Sequence, residues 1–270
     1  MHAIFYILLF ILGASIGSFL CCQVRRFYLS FASKGKRVKL GKRSVCMKCN
    51  YQLRWYDNIP ILSWLFLRGK CRKCKKKIGI AEILSEVGMG LAFLMIGTTV
   101  NIDSETVLGW VIFGAVLFFV SILGFLAIHD GMYGKLPMLF LTISIICAII
   151  ILILKEWSSL LVSSFSFESI FNPRAAVGIL GGLYLALYIV SRGKWVGDGD
   201  WILGTAIGLA LGSPWLAVIT LFVSNVLACL VMAPAVKKSK NKKIYFGPFM
   251  VIAFVVVYTF ADFFYYAIGM

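Results

Sequence analysis

Asp130 and the run Gly197-Asp198-Gly199-Asp200 are the residues best placed to do chemistry in this 270-residue chain. Each abuts an apolar stretch long enough to enter a bilayer, where a carboxylate is costly and is kept for function. Two carboxyls brought together there can share one proton, so that one activates water while the other delivers a proton. A second constellation is formed by Cys46, Cys49, Cys71 and Cys74, two C-x2-C pairs separated by 21 residues. Each pair makes a tight knuckle that offers two thiolates to a tetrahedral zinc ion, and neighbouring lysines favour the thiolate. Reversible disulfides are the alternative, which a cytoplasmic location disfavours. Cys21, Cys22, Cys147 and Cys229 lie in or beside apolar runs and read as packing residues.

The elements that must position these groups are membrane helices. Hydrophobic residues make up 61% of the chain and the mean hydropathy is +0.93, which excludes an ordinary soluble domain. Apolar runs place spans at about 4–22, 83–100, 107–128, 136–154, 175–190, 201–211, 215–236 and 246–268. The sixth is short and Gly-rich, and only Gly212-Ser213-Pro214 separates it from the seventh. The expected fold is an all-α polytopic membrane protein with about eight transmembrane helices. A small zinc-stabilised cytoplasmic loop domain lies between the first and second. Its expected divisions are 1–24 for the first helix, 25–81 for the loop domain and 82–270 for the remaining helices.

Charge sets the orientation. Residues 25–77 hold 17 Lys and Arg against the single acidic Asp57, and of 27 basic residues in the chain only Lys155 and Arg174 fall on the opposite side of an eight-span arrangement. The positive-inside rule then puts both termini outside and both Asp130 and Asp200 at cytoplasmic ends of their spans. The first apolar run has its basic cluster after it, which marks a retained anchor and not a cleaved signal. The basic loop reads as a binder of anionic lipid headgroups. It lacks the interleaved aromatic platform of a nucleic-acid surface, so no nucleic-acid partner is expected.

Within the second acidic run, Asp200 is the expected catalytic group and Asp198, between two glycines, its exposed neighbour. His129 points about 100° away from Asp130 around a helix and reads as a packing or interfacial residue. Glycines beside Asp200 leave room for an extended substrate backbone.

These residues together resemble the type IV prepilin peptidases, GxGD membrane aspartic proteases. Gly17-Ser18-Phe19-Leu20 is similar to the family's GSFLN signature, with Cys21 at the asparagine position. The Cys pairs with Asn58-Ile59-Pro60-Ile61-Leu62-Ser63-Trp64 and Arg68-Gly69-Lys70-Cys71-Arg72 resemble its zinc loop, and Glu86 falls at its acidic position after that loop. Asp130 with Pro137 resembles the first catalytic motif, Met138 replacing its usual acidic residue. Gly197 to Asp200 fits GxGD, Ile202 standing where Lys is common. Phe246-Gly247-Pro248-Phe249 matches the family's FGPF element.

The resemblance implies an endopeptidase in the bacterial cytoplasmic membrane, with Asp130 and Asp200 catalytic at the cytoplasmic face. Its substrate would be a prepilin or pseudopilin, cut after a glycine that follows a short basic leader. It also implies N-methylation of the new N-terminus from S-adenosylmethionine, for which no nucleotide fingerprint is visible in the chain. The acidic groups expected to meet the basic leader are Asp198, Glu82 and Glu86. Other readings are a preflagellin-type protease, an ion-coupled transporter using the aspartates, and a noncatalytic zinc-stabilised membrane scaffold. Which pilin is cut and the oligomeric state are not encoded legibly.

Overall fold

The structure, a computed structural model, describes residues 2–32, 45–46, 48–49, 51–100, 102, 106–162, 167–193, 196–238 and 245–268. Part of the basic loop, Lys194 and the lysines of 239–244 lie outside the described residues. The chain divides into two compact units, Met1–Gly97 and Thr98–Met270.

In the first unit, the long apolar helix α1 (His2–Ala32) packs along α3 (Ile80–Gly97). Phe93 and Ile96 are fully buried on that face. Between the two helices the chain makes a 3-10 turn at Trp55–Asn58, the short helix α2 (Leu62–Phe66), and isolated antiparallel bridges Val45–Gln52 and Lys70–Lys77. About 50 residues this polar bury too little apolar surface to fold on packing alone. Asp57 supplies one tie: its buried carboxylate accepts from Arg72 Nε at 2.8 Å and from the Arg54 N–H at 3.1 Å.

The second unit contains α4 (Val107–Tyr133), α5 (Met138–Val162), α6 (Phe167–Val177), a π-helical segment Gly178–Gly182, α7 (Leu183–Ser191), α8 (Asp200–Leu211), α9 (Pro214–Lys238), α10 (Gly247–Thr259) and α11 (Ala261–Ile268). Its core is aromatic and aliphatic, with Phe119 of α4 edge-on to Phe254 of α10 at 5.5 Å. Leu126, Leu141, Leu203, Ile207 and Met250 are all fully buried. α8 lies against α5 on one side and against α6 and the π segment on the other, while α10 packs on α4 and α9. Small residues permit that seat: Cβ atoms on Gly204 and Gly208 would stand 3.0 and 2.9 Å from the carbonyl oxygens of Leu180 and Ala176. Close backbone approach of this small-xxx-small kind is a main source of helix adhesion in lipid, where burial of apolar surface drives nothing.

All eight apolar runs of the sequence are helical. Among the described residues six helices are long and apolar enough to cross a membrane, seven if the bent pair α10 and α11 counts as one span. That pair turns by 71° at Phe260, so the run 246–268 is not one straight helix. The sixth run, 201–211, is α8, whose 12 residues rise only ~18 Å against the ~30 Å of a hydrocarbon core. Lys155, half-buried in α5, reaches the neighbouring helices: its Nζ donates to the Ala210 carbonyl at 3.1 Å and lies 4.7 Å from the centre of the Tyr258 ring. Flexible methylenes let a lysine near a helix end find a polar partner inside the bundle as readily as outside it.

Candidate active site and metal centre

Asp130 sits in the last turn of α4, which closes where the Gly134 N–H donates to the Asp130 carbonyl at 2.7 Å. Pro137, seven residues after Asp130, starts the next helix: its carbonyl accepts from the Phe140 and Leu141 amides. Asp200 opens α8, where the positive end of a helix dipole favours a carboxylate. Both side chains are buried, Asp130 being 6% exposed and Asp200 8%.

Each carboxylate is held by a glycine amide. The Gly247 N–H, at the start of α10, donates to Asp130 Oδ2 at 3.0 Å, and the Gly197 N–H donates to Asp200 Oδ2 at 2.9 Å. A Cβ at Gly247 would come within 2.9 Å of that Oδ2, so only glycine lets the backbone come this close. Asp130 ends α4 and Asp200 opens α8, both within the second unit. Two carboxyls that meet can share one proton, which pairs a general base with a general acid.

The neighbours of the pair differ in what they do. Asp198 is exposed and Gly199 is buried against Leu136 and Leu141, so of the two glycines flanking Asp198 only Gly197 borders open space. His129 is buried, and its Nδ1 lies 2.6 Å from the Lys135 carbonyl; a carbonyl can only accept, so Nδ1 carries the proton. It closes the α4–α5 turn, as a packing residue would. Glu82 and Glu86 already have partners: Glu82, partly exposed, pairs with Arg25 at 2.5 Å, and buried Glu86 accepts the Ile61 N–H at 2.7 Å. Ile61 itself sits in a γ-turn (φ 62°, ψ −54°), closed by the Leu62 N–H on the Pro60 carbonyl.

Two contributors were not assigned from sequence. Gly247 lies in the FGPF element, but nothing local to that element says that its amide serves a carboxylate 117 residues away. Tyr184 of α7 is buried with its hydroxyl 3.4 Å from Asn225 Nδ2 and its ring 5.3 Å from Phe246, the residue before Gly247. No motif marks it.

In the first unit the four sulfurs of Cys46, Cys49, Cys71 and Cys74 all lie within 4.8 Å of one another. Cys46–Cys74 and Cys49–Cys71 are both 3.9 Å apart. A tetrahedron with metal–sulfur bonds of ~2.3 Å has edges of roughly 3.8 Å, so the donor set fits a metal ion held by four thiolates. The sulfurs differ in acidity. The Cys74 amide, seconded by Lys73, draws the Cys71 thiol down to about 7. At Cys49 the Tyr51 amide favours the thiolate, but desolvation and the other three sulfurs outweigh it and push the group up to about 11. Four thiolates this close therefore need a cation to coexist.

Residues 11–100 match the family model described as Bacterial Peptidase A24 N-terminal domain. The chain is 30% identical over 230 residues to the prepilin leader peptidase/N-methyltransferase of Vibrio cholerae, covering 81% of each. It is 30% identical over 227 residues to the protein of that name from Neisseria gonorrhoeae, covering 81% of this chain and 71% of the relative. A shorter stretch of 90 residues, 33% of this chain, is 40% identical to 25% of the Myxococcus xanthus relative of the same name. No solved structure matches significantly. The chain belongs to the prepilin leader peptidase/N-methyltransferase family.

Proposed function

We propose that the protein is a membrane aspartic endopeptidase that removes the basic leader from type IV prepilins or pseudopilins. The observation that supports this reading is a pair of buried aspartates in one unit, one ending α4 and one opening α8, each accepting a glycine amide. In this reading Asp130 and Asp200 share one proton. The ionised member takes a proton from water, the water oxygen adds to the scissile carbonyl, and the protonated member hands its proton to the leaving amine. No acyl-enzyme forms. The Gly247 and Gly197 amides hold the carboxyls in place and stabilise the ionised form of either.

The basic residues of 25–77 support a bacterial cytoplasmic membrane location with the site at the cytoplasmic face. Anionic headgroups then neutralise the loop, and Asp198, exposed beside the site, meets the basic leader. Cys46, Cys49, Cys71 and Cys74 hold a structural zinc ion, which folds the loop domain that carries them and takes no part in proteolysis. N-methylation of the new N-terminus, with S-adenosylmethionine supplying the methyl group, follows from the relatives' name.

Co-expression with a prepilin carrying a basic leader tests the reading. Intact-mass measurement should show loss of the leader at a glycine and a further methyl mass. A pilin that keeps its full leader in the presence of the folded protein would overturn the peptidase assignment. Cleavage without added methyl mass would overturn only the second activity.

A further inference from the structure

α8 presents a problem that its neighbours must solve. A helix of ~18 Å that opens at the buried acid pair ends short of the far side of a ~30 Å apolar layer. The carbonyls of its last turn therefore face a medium without water, where an unpaired one is costly. The Gly208 carbonyl is taken by the Gly212 N–H at 3.1 Å. The Ala210 carbonyl is taken by Lys155 Nζ, 55 residues earlier in sequence, at 3.1 Å.

The same ammonium lies over the ring of Tyr258, 4.7 Å from its centre, within the range of a cation–π contact. Among the described residues no carboxylate pairs with it. Its partners are instead the far ends of two helices whose near ends make the site: α8 begins at Asp200 and reaches Lys155 at Ala210, and α10 begins at Gly247 and reaches it at Tyr258. α5, which carries Lys155, follows directly from the turn after Asp130. A carboxylate at the positive end of α8 and an ammonium at its negative end both favour the helix in this seat.

We propose that Lys155 is a positioning residue for Asp200: it pins the C-terminus of α8 to α5 and α10 and so fixes the depth and tilt at which Asp200 meets Asp130. The inference rests on the peptidase reading, but its test carries a readout independent of cleavage. Full-length wild type, Lys155→Met and Lys155→Arg are reconstituted in liposomes. Leader cleavage and hydrogen exchange of the 208–213 amides are followed together.

Lys155→Met should lower kcat about tenfold with KM within twofold of wild type, because a shift of under 1 Å at a reacting group has effects of this size. Exchange at 208–213 should rise in the same variant. Lys155→Arg, which keeps the charge and the donors, should recover most of kcat and the slow exchange. If the Met variant does not accumulate, Lys155→Gln takes its place with the same expectation, since it loses both the charge and the reach. Wild-type kcat and exchange in the uncharged variant would overturn the proposal. So would an Arg variant as impaired as the Met variant, the behaviour of a site that responds only to packing. If wild type cleaves no prepilin, the exchange comparison still decides whether Lys155 holds α8, and the peptidase reading fails separately.

Discussion

Gly247 and Asp130, 117 residues apart, are joined by a 3.0 Å hydrogen bond from the backbone amide of one to Oδ2 of the other. The bond ties the start of α10 to the end of α4 and leaves no space for a side chain between them. Gly247→Ala should displace the Asp130 carboxyl while keeping the N–H. Because ~1 Å of misplacement can cost about 10²-fold, leader cleavage should fall by at least about tenfold. A steady-state assay on a variant with wild-type thermal unfolding checks this.

Asp198 and Asp200 are two residues apart and should behave differently. Asp198 is exposed and Asp200 is buried against the Gly197 amide. Asp198→Lys should raise KM for a leader rich in Lys and Arg by several-fold and leave kcat within about twofold, with the effect shrinking in high salt as exposed charges are screened. Kinetics at two ionic strengths measure it.

The four-cysteine site should hold one zinc ion per chain, and replacing Cys46 or Cys71 with Ser should abolish it. Chelation should loosen residues 45–78, seen as faster proteolysis there, because binding free energy at such sites is folding free energy of about 10 kcal/mol or more. The pH dependence has a definite sign. The Cys71 thiol lies below its ordinary value of 9.0, at about 7. The stability its thiolate contributes is complete above about 9 and is lost as pH falls through about 7. Metal content should likewise decline on acidification, because protons compete with the ion for the sulfurs.

Asp57 ties the loop together by accepting from Arg72 and the Arg54 amide with its side chain almost wholly buried. Asp57→Ala should destabilise the loop by about 1–3 kcal/mol, the cost of leaving buried donors unpaired. Arg72→Ala should cost less, since its guanidinium is half exposed and its interaction screened. Denaturant titration of the metal-loaded protein separates the two.

Gly208→Leu should force α8 away from the Ala176 carbonyl, which a Cβ would approach to 2.9 Å. Overpacking at so close a backbone contact costs about 1–3 kcal/mol. Thermal unfolding in detergent should drop, together with cleavage.

What the sequence made legible follows from how local the signals are. The apolar runs, Asp130, the Gly197–Asp200 run and the paired cysteines are each readable within a few residues, and the structure brings the four sulfurs together. The contacts that support them are not local. The Gly247 amide serves Asp130, the Lys155 ammonium serves Ala210, and Glu86 accepts from Ile61 across 25 residues. Hydropathy treats a run as a straight span and a charge as a boundary mark. It therefore joined α10 to α11 through a 71° bend, and left Glu82 and Glu86 free for a leader although Arg25 and the Ile61 amide already engage them.

The central claim is that Asp130 and Asp200 are one catalytic unit. Its most direct test is single-turnover cleavage of a prepilin by purified Asp130→Asn, Asp200→Asn and the double variant, each shown to be folded. Asparagine keeps the volume but cannot exchange the shared proton. Each single variant should lose cleavage by at least about 10³-fold, and the double variant should be no worse than either, as expected for groups that act together. Near wild-type cleavage by either single variant would contradict it.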